Sequence, residues 1–220
     1  MRFEKKLFSE LADIYTEKQF SKLDRENLFD SSVVAVPPII YRGGRCADML
    51  KSELGKGGVA IISNKLLPSF ILFLLNTAPC LVELFDRKFN TLTKIAVSKK
   101  KISQLAIPVV DLNLQKSYAM AESLHKEVYD YAHERTEDEK WSYVYGLIDS
   151  LCNSLAIDLF TAPFLEEKGV DLLIHWEQTI KEYNDKEDFS VIMDALTKSD
   201  SPLRNDIIKL QLVISNLKKD

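Results

Sequence analysis

Cysteine is scarce in this chain of 220 residues. The three present, Cys46, Cys80 and Cys152, are widely separated and form no pair motif, which argues against a disulfide framework and for buried thiols in a reducing compartment. Histidine is as thin, at His125, His133 and His175. The first two lie eight residues apart, so on a helix they differ by roughly 80° around the axis, and no Cys–His spacing suits zinc. Long apolar runs are missing too. The longest uncharged stretch, Leu66 to Val82, is interrupted by Pro68, Asn76 and Pro79 and falls short of the roughly 20 apolar residues a spanning helix requires. The opening MRFEKKLFSELADIY is charged and has no apolar core of a signal peptide. These absences predict a cytoplasmic protein with no membrane partner and no bound metal.

Catalytic motifs are absent as well. No nucleophile elbow or dinucleotide fingerprint occurs. Gly55-Lys56-Gly57-Gly58 has the composition of a phosphate loop, but a strand-like Val59-Ala60-Ile61-Ile62 follows it. A Walker motif needs Gly-Lys-Ser/Thr directly ahead of a helix, so the segment is expected to be a turn. Asp158 with Glu166-x-Lys168 has the outline of a nuclease set, but lies in helix and loop where such spacings arise by chance. The sequence favours a non-catalytic binding protein without a cofactor.

What the chain does have is a division of charge. Residues 1–110 carry 17 Lys and Arg against 11 Asp and Glu, and residues 111–220 carry 12 against 22. Two readings stay open: the halves have different partners, or they attract each other and pack. Within the first half, Arg87 to Lys101 holds Arg87, Lys88, Lys94, Lys99, Lys100 and Lys101 with no acidic residue. That suits phosphate contact, while lysines also serve to protect edge strands. Arg42 and Arg45 flank Gly43-Gly44. A tight turn there makes either a phosphate-binding corner or a plain hairpin with solvated arginines.

Periodicity changes along the chain. Phe3, Leu7, Leu11 and Ile14 recur at spacings of 4, 4 and 3, which predicts a helix over residues 2–18, alone or followed by a short strand. Residues 33–36 and 39–41 read as strands broken by Pro37-Pro38. A buried helix is expected at Pro68–Asn76, and Leu81–Phe85 is read as helical. Ile95–Val97 and Leu105–Val110 are short apolar runs bracketing the three lysines. Pro108, which has no N–H to donate, marks an exit from any ladder. From Leu114, the positions Tyr118, Ala121, Leu124, Val128 and Tyr131 form a near-heptad helical seam. Thr136-Glu137-Asp138-Glu139 is a capping-box signature. The buried face after it runs through Trp141, Val144, Tyr145, Ile148, Leu151, Leu155 and Leu159, with Pro163 at or just past its end. Val170, Leu173, Ile174, Ile180 and Tyr183 form the next stripe, and Asp185 is expected to cap a helix through Leu196. Ser201-Pro202 opens a last helix with Leu203, Ile207, Leu210, Ile214 and Leu217 on its seam.

Several segments together resemble the specificity subunits of type I restriction-modification enzymes. Ile102, Leu105, Ile107 and Pro108 are similar to the closing strand of a target-recognition domain, Asn90-Thr91 to the turn before it, and Gln115 to the glutamine that opens a long helix. Pro68, Phe70, Ile71, Phe73 and Leu74 resemble the family's Pro-x-aromatic helix, and Leu11–Tyr15 its opening segment. Where the family continues with a second proline, Val110 and Asp111 stand, and one such unit is present instead of two. The resemblance covers roughly the first 135 residues. It implies a truncated, single-unit recognition domain with double-stranded DNA and a methyltransferase or restriction subunit as partners.

The expected architecture is an α/β (α+β) target-recognition-like domain over residues 1–110 followed by an all-α region over 111–220. Helices are expected at about 112–134, 137–161, 169–184, 186–197 and 202–218. The expected DNA contacts are Arg42, Arg45, Arg87, Lys88, Asn90, Thr91, Lys94, Lys99, Lys100 and Lys101. The competing expectation is an interaction module, or homodimer, that keeps the fold without DNA binding.

Overall fold

A computed structural model describes residues 3–23, 33–41, 45–51, 53–77, 94–134 and 139–217. The chain divides into two compact units, residues 3–119 and, in the main, residues 120 onward. The first contains every described strand, all antiparallel, and the second is helical, so the chain is α+β. No described helix is long and apolar enough to cross a membrane.

The N-terminus departs from the expected helix, although the short strand allowed after it is present. It forms β1 (Lys5–Leu7), a single turn α1 (Phe8–Leu11), β2 (Asp13–Thr16) and another turn α2 (Glu17–Phe20). Helical spacing misleads here because each piece finds a distant strand to pair with. β1 pairs with β8 (Ala106–Pro108), Lys6 opposite Ile107, and β2 pairs with β6 (Val59–Ile62), Ile14 opposite Ile61. Phe8, Leu11 and Ile14 are buried, whereas Leu7, on the supposed helical face, is 44% exposed. Tertiary pairing has overridden local pattern.

A four-stranded sheet has the order β2-β6-β3-β5, with β3 at Val34–Val36 and β5 at Asp48–Met49. β4 (Ile39–Tyr41) pairs separately with β7 (Lys94–Ala96). The Gly55–Gly58 segment is the turn into β6. Gly57 has φ +79°, and a Cβ on Gly58 would come within 2.9 Å of the Gly55 carbonyl oxygen, so only glycine closes this turn without displacement. α3 (Pro68–Asn76) has proline at its first turn and buries Phe70 through Leu75 on all sides, as expected of a helix apolar all round. Phe70 and Phe73 meet Tyr118 at centroid distances of 5.9 and 5.1 Å.

The three lysines form α4 (Lys99–Ser103) rather than a polar loop or strand edge. Ser98 caps it by accepting from the Lys101 N–H at 3.3 Å. Ile102, expected in the closing strand, is the buried anchor of this helix, and the strand itself begins at Ala106. Pro108 ends β8 opposite Lys5, in a two-stranded ladder.

α5 (Leu112–Glu134) starts in the first unit. Asp111 Oδ1 accepts from the Asn113 and Leu114 N–H groups at 2.9 Å. Gln115, 3% exposed, accepts from Leu67 N–H at 2.8 Å and donates to the Val110 and Lys65 carbonyls at 3.1 and 3.2 Å. It ties the start of α3 to the end of the closing strand.

In the helical unit, Ala121, Leu124 and Val128 of α5 are buried, while Tyr131 is 39% exposed and stacks on Trp141. Thr136 and the capping box around it lie outside the described residues, as does Leu81–Phe85. α6 (Glu139–Glu167) buries Val144, Ile148, Leu151, Leu155 and Leu159 and continues past Pro163, which was expected at its end. A proline there removes one backbone bond, but Ala162 and Leu165 remain buried on the same helix and carry it to Gly169, which turns the chain at φ +66°. α7 (Leu172–Lys186) buries Leu172, Leu173, Trp176 and Thr179; Ile174, assigned to the stripe, is 48% exposed. Asp185 lies inside α7 instead of capping the next helix. Phe189 stands at the cap of α8 (Ser190–Thr197), and Asp188 just before it accepts from the Ser190 N–H at 2.8 Å. α9 (Pro202–Leu217) buries Leu203, Ile207 and Leu210, and exposes Leu217.

Candidate nucleic-acid interface

Of the ten residues expected to touch DNA, Arg42, Arg87, Lys88, Asn90 and Thr91 lie outside the described residues. Lys94 stands in β7 opposite Tyr41, and its side chain is likewise undescribed. Arg45 is half-buried beside the backbone of Cys46 and Ala47, whose N–H groups both donate to Asn76 Oδ1 at 2.8 and 2.9 Å. Lys99, Lys100 and Lys101 are brought together by α4. Lys100 and Lys101 are exposed and Lys99 is half-buried. Burial of Ile102 and the Ser98 cap fix the backbone that presents them.

Sequence reasoning missed Gln19. Its Oε1 accepts from the Thr16 N–H at 3.0 Å, within a capping box at the start of α2, and also from Lys99 Nζ at 3.0 Å. This bond joins segments 80 residues apart. The Thr16-x-x-Gln19 capping pattern was a local signal for α2, but nothing local in the sequence pairs Gln19 with Lys99.

The charge division sharpens when counted by structural unit. Residues 3–119 carry 17 Lys and Arg against 12 Asp and Glu; residues 120–220 carry 11 against 21. The first unit is therefore the one a polyanion would approach.

The helical unit holds a cleft of about 440 Å³ between α7, α8 and the start of α9. Its lysines are already matched: Lys186 Nζ meets Glu182 at 2.6 Å and Lys198 Nζ meets Asp194 at 2.8 Å. Those hydrogen bonds hold both ammonium groups above their ordinary pKa. Hydrogen bonding to Ser190 holds the Asp188 carboxyl below its own. With Asp188 and Asp200 also on its wall the cleft is acidic, unsuited to phosphate.

The histidines take part in structural pairs. His125, 4% exposed, has Nε2 at 3.3 Å from Asp149 and stacks on Tyr145. His175 Nδ1 is 2.8 Å from Asp206, which also accepts from the Asp171 N–H. The His133 side chain lies outside the described part. Among the described residues no group of three or more His, Cys, Asp or Glu side chains is placed to hold a metal ion. Asp158 is buried, whereas Glu166 and Lys168 are exposed on the surface. Asp158 and Glu166 are separated by about 12 Å of helical rise, so the nuclease-like set does not converge.

No family model and no curated protein matches this chain.

Proposed function

We propose that the chain is a non-catalytic, cytoplasmic DNA-binding protein whose first unit is a shortened, target-recognition-like domain. The observation that carries this reading is the lysine helix: three consecutive cations on a capped, internally anchored turn, in the unit of net positive charge. A rigid cationic turn contacts phosphates without reading bases, so binding is expected to be largely independent of sequence. Arg42, Arg87, Lys88, Lys94, Asn90 and Thr91 belong to the same proposal through the family resemblance, as does a methyltransferase or restriction subunit as partner of the helical unit.

The test is a titration of a labelled duplex at several salt concentrations. Replacing Lys99, Lys100 and Lys101 together with Ala is expected to weaken binding for all sequences and to flatten the salt dependence by up to about three units, one for each phosphate no longer neutralised. A folded wild-type protein that binds no duplex at low salt overturns the reading.

One observation favours a second reading, an interaction module that acts through its helical unit. Ile208 and Leu212, one turn apart on α9, are 38% and 60% exposed, and Leu217 is 57% exposed. In that reading α9 pairs with a second copy, and sedimentation shows a dimer whose dissociation follows Leu212→Glu.

A further inference from the structure

Three segments remote in sequence meet at one end of the four-stranded sheet. α2 follows directly from β2, the Gly55–Gly58 turn leads into β6, and β2 and β6 are paired with Thr16 opposite Val59. The Glu17 N–H donates to the Gly58 carbonyl at 3.1 Å, and the Glu17 carboxylate receives the Gly57 N–H at 3.4 Å. α4 reaches the same place through the Lys99–Gln19 bond. Beneath them lies a small core of Phe20, Val33, Leu50 and Ala60, with Tyr15, Leu23 and Leu54 packed against it. The end of the sheet is therefore a fixed platform.

The charges on this platform are one-sided. Thr16–Leu23, Leu54–Gly58 and Ser98–Ser103 contribute Lys18, Lys22, Lys56, Lys99, Lys100 and Lys101 against one carboxylate, Glu17, with Glu53 just outside the turn. Lys18, Lys22 and Lys56 are exposed. Lys22 follows Gln19 by three residues, and the Lys22 N–H donates to the Gln19 carbonyl at 3.2 Å. This turn bond fixes the Lys22 backbone to the Gln19 that Lys99 also reaches. Lys56 precedes the Gly57 N–H that Glu17 receives.

We propose that Lys18, Lys22 and Lys56 form a second cationic row that, with Lys99–Lys101, makes one composite surface for the phosphate backbone of duplex DNA. This rests on the reading above and extends its site to two segments the lysine helix alone does not include. Gln19 is the positioning residue. Its Oε1 is already engaged by Thr16 and Lys99, so the side chain offers only amide hydrogens to a ligand. The bidentate donor-and-acceptor pairing by which Gln reads adenine is therefore closed to it, while donation to a phosphate oxygen remains open. Like charges gathered on one platform disfavour each other, and a row of phosphates offsets that.

The experiment uses the full chain and a labelled duplex of arbitrary sequence, titrated between about 50 and 200 mM salt. Three triple variants are compared with wild type: Lys18→Ala/Lys22→Ala/Lys56→Ala, Lys99→Ala/Lys100→Ala/Lys101→Ala, and a control, Lys181→Ala/Lys186→Ala/Lys198→Ala, that removes the same charge from the helical unit. Circular dichroism verifies folding. If the second row makes three contacts, wild-type affinity falls over this range about 40-fold more than that of the first variant, and the control follows wild type. The proposal is overturned, with DNA binding retained, if the 99–101 variant alone flattens the salt dependence. It is also overturned if all three variants change binding equally, because net charge then acts without a site. Absence of duplex binding by the folded wild type, including binding only to anionic vesicles, overturns both this inference and the reading beneath it.

Discussion

Gln115→Met is the sharpest test of how the first unit is held together. The substitution preserves length and approximate volume but removes one acceptor and both donated hydrogens. The Leu67 N–H, the Val110 carbonyl and the Lys65 carbonyl lose their partners. The bond to Val110 is buried and the other two are partly buried, so water replaces them incompletely. With about 1 kcal/mol per neutral bond and roughly 1–3 kcal/mol for a buried group left unmatched, the loss is about 2–4 kcal/mol. Gln115→Glu does not rescue it near neutral pH. A carboxylate still accepts from Leu67 but faces two carbonyl oxygens with no hydrogen to give, and acidification, by restoring one O–H donor, partly relieves the loss. Urea denaturation distinguishes the units. Trp141 and Trp176, the two tryptophans, both lie beyond residue 120, so their fluorescence follows the helical unit while far-ultraviolet circular dichroism follows both. The variant should lower the midpoint of the dichroism phase assigned to the first unit. A change worth less than about 0.5 kcal/mol in Gln115→Met, within the spread of ordinary surface substitutions, would refute the claim that this side chain clamps the fold.

Leu210, fully buried in α9, should cost about 2–5 kcal/mol when cut to Ala, by poorer packing and a residual cavity; tryptophan fluorescence in urea measures it, and an unchanged midpoint contradicts the packing. Burial pushes the Cys46 thiol up to about 12, so it should resist iodoacetamide at about pH 8, near the ordinary thiol pKa, in the folded protein and react on unfolding. The unfolded chain loses that proton at a lower pH than the folded one, so stability from this group falls as pH rises from about 9 towards 12, by up to about 1.4 kcal/mol per pH unit. Cys46→Ser, compared with wild type across that range, isolates the slope.

Legibility from sequence followed the range of the interactions involved. α3 was readable to the residue because Pro68 opens it and an unbroken apolar run fills it, both local signals. α5 and the Leu203–Leu210 part of α9 were readable from long seams. The N-terminus was not, because Phe3, Leu7, Leu11 and Ile14 imitate a helical stripe while the chain is drawn into strands by partners near residues 60 and 107. Pro163 misled in the opposite sense: a local helix breaker was tolerated inside a helix whose neighbouring residues are buried. The site divides likewise. The lysine triplet is a sequence feature, but its helical form and its bond to Gln19 depend on packing that no short window contains.

The pairing of β1 with β8 has a consequence for synthesis. Residues 5–7 leave the ribosome about a hundred residues before their partners at 106–108. At roughly 5–20 residues per second, the first strand waits on the order of 5–20 seconds without its ladder. Closure of so long a loop is a late event with a high entropic cost and gives the unit a high contact order. During that interval the aromatic rings of α3, already synthesised, await Tyr118, which is translated later still. A nascent chain stalled before residue 108 should therefore bind holdase chaperones that the completed chain releases.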